Sequence, residues 1–99
     1  MTKAPRLTPQ TVRVLAGIFD NPGSSGAEIC KLTSLPSGTV YPILARLEGA
    51  GWLRSNWENI DPSEAGRPRR RFYSLTAEGA REAKSGASEV ARLYASFAS

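Results

Sequence analysis

Residues 36–51 read Pro36-Ser37-Gly38-Thr39-Val40-Tyr41-Pro42-Ile43-Leu44-Ala45-Arg46-Leu47-Glu48-Gly49-Ala50-Gly51. At about 100° per residue, Val40, Ile43, Leu44 and Leu47 gather on one side and mark a core-facing stripe. The spacing predicts a helix from Gly38 to about Ala50, with Ser37 as its cap and Gly51 as its stop. Pro42 lies early in it and removes a single intrahelical hydrogen bond, so the helix survives. The opposite side carries Gly38, Pro42, Ala45 and Gly49. Thr39 and Arg46 run along one edge of that side, Tyr41 and Glu48 along the other. A helix that faces only water usually carries charged and long polar residues there. A small, weakly polar face suits close approach to another surface. One such surface is the floor of a DNA major groove, where small apolar groups touch thymine methyls; a protein surface packed tightly against the helix is the other.

Working outward toward the N-terminus, Ser25-Gly26-Ala27-Glu28 has the form of a capping box and opens a helix that ends near Thr33. Ser34-Leu35-Pro36 makes a turn, so two helices joined by a short turn form a helix-turn-helix. Thr8-Pro9 starts an earlier helix, with Thr8 as cap and proline at the first helical position. Asn21-Pro22-Gly23 ends it after Asp20. Val12, Val14, Leu15, Ala16, Ile18 and Phe19 spread over most of its girth, which predicts burial on more than one side. One side serves the chain's own core. The other is assigned to a second subunit, with Leu15, Ile18 and Phe19 as interface residues. Residues 1–7 are expected to be a disordered lead.

On the C-terminal side, Trp52 to Glu58 and Arg69 to Leu75 read as two strands around a polar loop, Asn59 to Pro68. At about ten residues that loop is long for a hairpin, and the pair forms a wing. Thr76 caps a last helix running nearly to the end. Its apolar positions Ala80, Ala83, Ala87, Val90, Tyr94 and Phe97 are spaced 3, 4, 3, 4, 3, a coiled-coil seam, and Gly79, Gly86 and Leu93 broaden it. Ala83, Ala87, Val90, Leu93, Tyr94 and Phe97 are therefore the expected dimer contacts; packing of this helix on its own domain is the competing reading. The expected class is α+β: a winged helix-turn-helix of three helices and a two-stranded hairpin over 8–75, plus a dimerisation helix over 76–99.

The charge pattern points the same way. Thirteen Lys and Arg face nine Asp and Glu, for a net charge of +4 over 99 residues. Arg67, Arg69, Arg70 and Arg71 crowd into five positions. Such a patch attracts polyanions, although a solvated surface run has the same composition. Strand residues alternate faces, so not all four arginines can meet one surface. Arg67 and Arg69, nearest the tip, are expected to reach DNA most directly, with Arg70 or Arg71 on phosphates. Ser37, Thr39 and the hydroxyl of Tyr41 are further phosphate candidates. Phe72 and Tyr73 could stack on bases, but at least one of them, and likewise at least one of Trp52 and Trp57, is expected in the core of the small sheet.

The chain has one cysteine, Cys30, and no histidine. That precludes an internal disulfide and the usual zinc, haem, iron–sulfur and histidine-based catalytic sites. Neither metal, cofactor nor catalytic residue is expected, and Asp61 and Glu64 in the wing loop read as solubilising. Val14 to Phe19, the longest apolar run, is far too short to span a bilayer. A soluble, cytoplasmic protein with no membrane partner is expected.

Two motifs carry a resemblance. Gly38-Thr39-Val40-Tyr41-Pro42-Ile43-Leu44, followed by Arg46-Leu47-Glu48 and Gly51-Trp52-Leu53, resembles the recognition-helix region of the PadR-like transcriptional regulators. Trp57-Glu58, Gly66-Arg67-Pro68, Arg70-Arg71-Phe72-Tyr73 and Leu75-Thr76-Ala77-Glu78-Gly79 resemble that family's wing and the start of its last helix. The likeness runs from about Leu7 to Phe97. It implies a homodimeric repressor of the family's compact branch, joined through its first and last helices and released from DNA by a small aromatic or cationic effector bound near the dimer contact. The chain departs from the pattern in having Ala27 where an aromatic often precedes Glu28, and no tryptophan on the last helix. On this reading Ser37, Gly38, Thr39, Tyr41, Pro42, Arg46, Arg67, Arg69, Arg70 and Arg71 meet a double-stranded, roughly palindromic operator. The rival function is a protein–protein interaction module that does not bind DNA. Salt separates the two, because phosphate contacts weaken steeply with salt and a packed apolar contact does not.

Overall fold

The computed structural model describes residues 5–86. The first helix, α1 (Pro9–Asp20), starts where its cap predicts. Thr8 is extended, and its hydroxyl accepts the Thr11 N–H at 3.2 Å. The Asn21 N–H donates back to the Gly17 carbonyl at 3.0 Å and closes it. In α2 (Gly26–Thr33) the capping box is complete. Ser25 Oγ accepts the Glu28 N–H at 3.2 Å, and Glu28 Oε1 accepts the Ser25 N–H at 3.3 Å.

The third helix, α3 (Ser37–Gly49), begins one residue before the expected start. Pro36, not Ser37, is its cap, and no side chain caps it. The proline ring holds Pro36 extended, and its carbonyl accepts the Thr39 and Val40 N–H groups at 2.9 and 3.0 Å. Ser37 is thus the first residue inside the helix, with its hydroxyl free of capping. Pro42 is accommodated within α3; the bond it removes is the one to the Gly38 carbonyl. Gly51 closes the helix in the left-handed region (φ 81°).

Two further strands follow, β2 (Leu53–Trp57) and β3 (Arg71–Leu75), with a helical turn α4 (Pro62–Ala65) between them. A last helix, α5, is described over 77–86. The expected two-stranded hairpin is in fact a three-stranded antiparallel sheet. Ser24–Ser25 forms β1 and pairs with β3, giving the order β1-β3-β2. Two adjacent serines have neither length nor alternation, so no local pattern marks them as a strand. The loop expected over Asn59–Pro68 contains α4, which has a start and a stop of its own: Asp61 Oδ1 accepts the Ser63 N–H at 2.9 Å, Pro62 opens the turn and Gly66 ends it. Both strands are shorter than expected, leaving Arg69 and Arg70 ahead of β3.

The core draws on every layer. Val14, Leu15 and Ile18 of α1 pack with Ile29 of α2 and with Val40, Ile43, Leu44 and Leu47 of α3. Trp52, Leu53 and Tyr73 close it from the sheet side, and Ala83 from α5. Leu15 and Ile18, assigned to a dimer contact from the sequence, are 1% and 0% exposed and leave no surface for a partner. The broad apolar girth of α1 is consumed by α2, α3, the sheet and α5 of its own domain. Of the three α1 residues only Phe19 presents surface. Leu7, assigned to the lead, packs against the core and lies beside Gly86. Ala87, Val90, Leu93, Tyr94 and Phe97 lie outside the described residues.

Candidate nucleic-acid interface

The α3 stripe Val40, Ile43, Leu44 and Leu47 is buried, and the opposite ridge is open. Ser37, Gly38, Tyr41, Pro42, Ala45, Arg46 and Gly49 are exposed, and Thr39 is half-buried. Among the described residues a Cβ on Gly38 or Gly49 would meet nothing within 4 Å, and neither residue has a positive φ. Neither packing against the described residues nor backbone geometry therefore asks for glycine there.

Tyr41 leans from α3 onto the start of α2. A Cβ on Gly26 would fall 2.6–2.8 Å from the Tyr41 ring, so glycine at the first position of α2 makes room for it. This pairing had no sequence signal, since Gly26 is an ordinary residue inside a capping box. Across from Tyr41 stands the wing, and the two enclose a groove of about 560 Å³ lined by Gly26, Tyr41, Trp57, Arg69, Arg70 and Tyr73, among others.

Strand register decides what each wing residue faces. Leu53 pairs with Leu75, Ser55 with Tyr73, and Trp57 with Arg71. These six share one face, which turns toward the helices, because Leu53 and Tyr73 are buried in the core. Burial pushes the Tyr73 phenol pKa up. Trp57, at the outer end of that face, is 58% exposed and lies outside the core. Trp52 and Tyr73 do lie in the core, and Phe72 is half-buried.

The four wing arginines separate into different environments. Arg67 forks onto Glu58, with Nη1 donating to Oε1 at 2.7 Å and Nη2 to Oε2 at 2.9 Å. Glu58 Oε1 also accepts the Arg70 backbone N–H at 3.2 Å. The Arg67 hydrogen bonds, helped by that N–H, hold the Glu58 carboxyl at about 2, against an ordinary 4.5. Arg67 is pushed up in return. Arg69 donates from Nε to the Ile60 carbonyl at 2.9 Å. Arg71 donates from Nε to Ser55 Oγ at 2.8 Å and from Nη2 to both Glu48 oxygens at 3.2 and 3.3 Å. Its guanidinium also lies 5.1 Å from the centre of the Trp57 ring, within cation–π range. The Arg70 side chain makes no hydrogen bond among the described residues and is exposed. Arg67, expected nearest to DNA, is thus already engaged by a carboxylate. The sequence shows four cations in a row but not which acid each one meets.

The Glu58–Arg67 clasp carries a pH signature. Folding lowers the Glu58 pKa, so its contribution is whole above about 4.5 and fades as pH falls toward about 2. Carboxyl-carbon NMR should show Glu58 titrating well below the other glutamates, with the wing amide shifts moving in the same range. A Glu58 midpoint near 4.5 would mean that the clasp does not persist in solution.

No group of His, Cys, Asp and Glu among the described residues could hold a metal ion, and no helix there is long and apolar enough to cross a membrane. Cys30 is half-buried and packs at the edge of the core.

Comparison with known proteins places this geometry. The model of the transcriptional regulator PadR-like family matches residues 26–85, more than half of the chain. No curated protein sequence matches. Among solved structures, the PcaV transcriptional regulator from Streptomyces coelicolor superposes with a TM-score of 0.80 at 25% identity, over 93% of this chain and 63% of that one. NadR in complex with 4-hydroxyphenylacetate gives 0.70 at 26% identity, over 91% of this chain and 60% of that one. MepR, which regulates the Staphylococcus aureus multidrug efflux pump MepA, gives 0.68 at 18% identity, over 92% of this chain and 63% of that one, a likeness of fold alone. The chain thus spans about 60% of the length of these solved structures.

Proposed function

Because this chain belongs to the PadR-like family of transcriptional regulators, we propose that it is a homodimeric repressor that lays α3 in the major groove of duplex DNA and its wing along the neighbouring backbone and minor groove. The observation that carries this reading is the bare ridge of α3. Glycine supports a helix less well than alanine, and nothing among the described residues requires it at Gly38 or Gly49, near the two ends of α3. A close-fitting external surface does. Ser37, Gly38, Thr39, Tyr41, Pro42 and Arg46 are assigned to that surface, and Arg69 and Arg70 to the strand beside the wing.

Gly38→Ala and Gly49→Ala test this directly. Each should hold or raise stability in urea melts while weakening operator binding. Unchanged affinity at both positions would take α3 out of the groove. Footprinting on DNA flanking the protein's own gene supplies the operator, with two half-sites about 34–36 Å apart expected for a two-fold dimer. Binding that resists salt would favour a protein partner over DNA.

The dimer contact is assigned to the last helix, through Ala87, Val90, Leu93, Tyr94 and Phe97, and to the exposed Phe19; Ala83, also expected there from the sequence, is buried in the core of its own domain. Val90→Glu with Leu93→Glu should halve the mass in solution; an unaltered mass would place the interface elsewhere. NadR binds a small aromatic acid, and a small aromatic or cationic effector acting at the dimer contact is the assigned release signal here.

A further inference from the structure

We infer that Arg71 is a brace that sets the angle between the reading helix and the wing, acting through Glu48 and Ser55 rather than on a DNA phosphate. The inference rests on the DNA-binding reading and concerns how that site is held in shape.

The helix-facing strip of the hairpin runs outward from Leu53 and Leu75, through Ser55 and Tyr73, to Trp57 and Arg71. Its inner pairs touch the core. At its outer end Trp57 is exposed, and Arg71 reaches from there to α3. Arg71 reaches Glu48, one residue before the end of α3, and Ser55, midway along β2. Ser55 Oγ bonds Glu48 in turn, and the Trp57 ring supports the guanidinium from β2. One carboxylate, one hydroxyl and one indole thus converge on a single cation.

This arrangement has a mechanical consequence. The inner end of the hairpin is already held by the covalent link at Gly51 and Trp52, by Leu53 and Tyr73 in the core and by the pairing of β3 with β1. The Arg71 contacts attach its outer end to α3 as well, two turns from Tyr41, and fix the tilt of the part next to Arg69 and Arg70. Reading DNA with α3 and Arg70 together requires that tilt to be set before contact. A phosphate-binding arginine should resemble Arg70, exposed and without a side-chain partner. Arg71 has its Nε, its Nη2 and its ring face occupied, and without breaking those contacts could offer a phosphate only Nη1.

The test uses the full chain, its footprinted operator and a scrambled duplex of equal length. Glu48→Gln raises the net charge by one, so a protein limited by phosphate contacts should bind both duplexes more tightly. The brace predicts the opposite on the operator: a loss of about tenfold, comparable to breaking a charge-assisted hydrogen bond, with the scrambled duplex unaffected or tighter. Arg71→Gln should give the same loss without lowering the slope of log affinity against log salt. The Glu48→Gln/Arg71→Gln pair should be no worse than either single change. Ser55→Ala alters no charge and should produce a smaller loss on the operator alone, which keeps the test decisive if a charge variant fails to fold. A salt slope lower by about one for Arg71→Gln, or Glu48→Gln binding the operator as tightly as the unaltered chain, overturns the brace. Should the unaltered chain bind neither duplex, the DNA reading itself fails and the brace falls with it.

Discussion

Gly79→Ala should be the most damaging single methyl in this protein. A Cβ at Gly79 would sit 2.0 Å from the Trp52 carbonyl oxygen, 2.8 Å from its carbon and 3.1 Å from its Cα. These are backbone atoms at the corner between α3 and β2, and no rotamer can move them aside. The same corner anchors the start of α5. The Thr76 N–H donates to the Trp52 carbonyl at 3.0 Å, and the Thr76 hydroxyl donates to the Gly51 carbonyl at 2.7 Å while accepting the Gly79 N–H at 3.1 Å. The helix is thus pinned so tightly that only glycine fits at its third position. Alanine must push α5 off the domain or open the corner, at a cost of about 3 kcal/mol or more. For a domain of this size that lowers the melting temperature by roughly 12 °C or more. Because the proposed dimer contact lies C-terminal to this anchor, the variant should also dimerise poorly. Urea denaturation and solution mass measure the two effects; a stability within about 1 kcal/mol of the unaltered chain would show that the corner can yield. Gly38→Ala is the internal control, since the same methyl there meets none of the described residues within 4 Å.

Arg69→Ala combined with Arg70→Ala should produce the largest loss of DNA affinity among the wing variants. Arg70 is exposed and its side chain has no hydrogen-bond partner among the described residues, and Arg69 gives one N–H to the Ile60 carbonyl in an exposed hydrogen bond. Both guanidinium groups are placed to neutralise phosphates at little internal cost. Each phosphate left without its cation lowers the slope of log affinity against log salt by about 0.9, so the pair should lower it by nearly two. Affinity for every duplex should fall together, about tenfold to a hundredfold at moderate salt, because phosphate contacts carry little base information. Arg67→Ala should behave differently. It removes the partner of Glu58 and loosens the wing, so its loss should fall mainly on specific binding and track the disorder of α4 and the neighbouring loop. Fluorescence anisotropy across a salt series separates the two. An unchanged slope for the Arg69/Arg70 pair would remove the wing cations from the interface.

The two variants also mark where the sequence could be read and where it could not. The helices and their starts were legible because a helix announces itself locally. Thr8 before Pro9, the Ser25–Glu28 box and Thr76 each bond within three residues along the chain, and the α3 stripe repeats within one turn. Ser37 misled because Pro36, one residue earlier, satisfies the same start through its backbone. Ser24–Ser25 was invisible as a strand because its partner lies in β3, almost fifty residues on. Leu15 and Ile18 were assigned to a partner because a helix apolar on several sides does not say which side its own domain will use.

The chemistry of the site divides in the same way. Four arginines within five residues announce a cationic wing in any reading of the chain. Their division into a clasp on Glu58, a bond to the Ile60 carbonyl, a set of contacts to Glu48 and Ser55, and a side chain without a partner among the described residues depends on strand register and on how far the hairpin stands from α3. Local sequence therefore determined the elements, the buried stripe of the reading helix and the sign of the wing, because hydrogen-bond capping and hydrophobic periodicity act over a few residues. Tertiary structure alone decided the third strand, the Gly26–Tyr41 and Gly79–Trp52 contacts and the partner of each arginine, because those depend on distances between segments that meet only after folding.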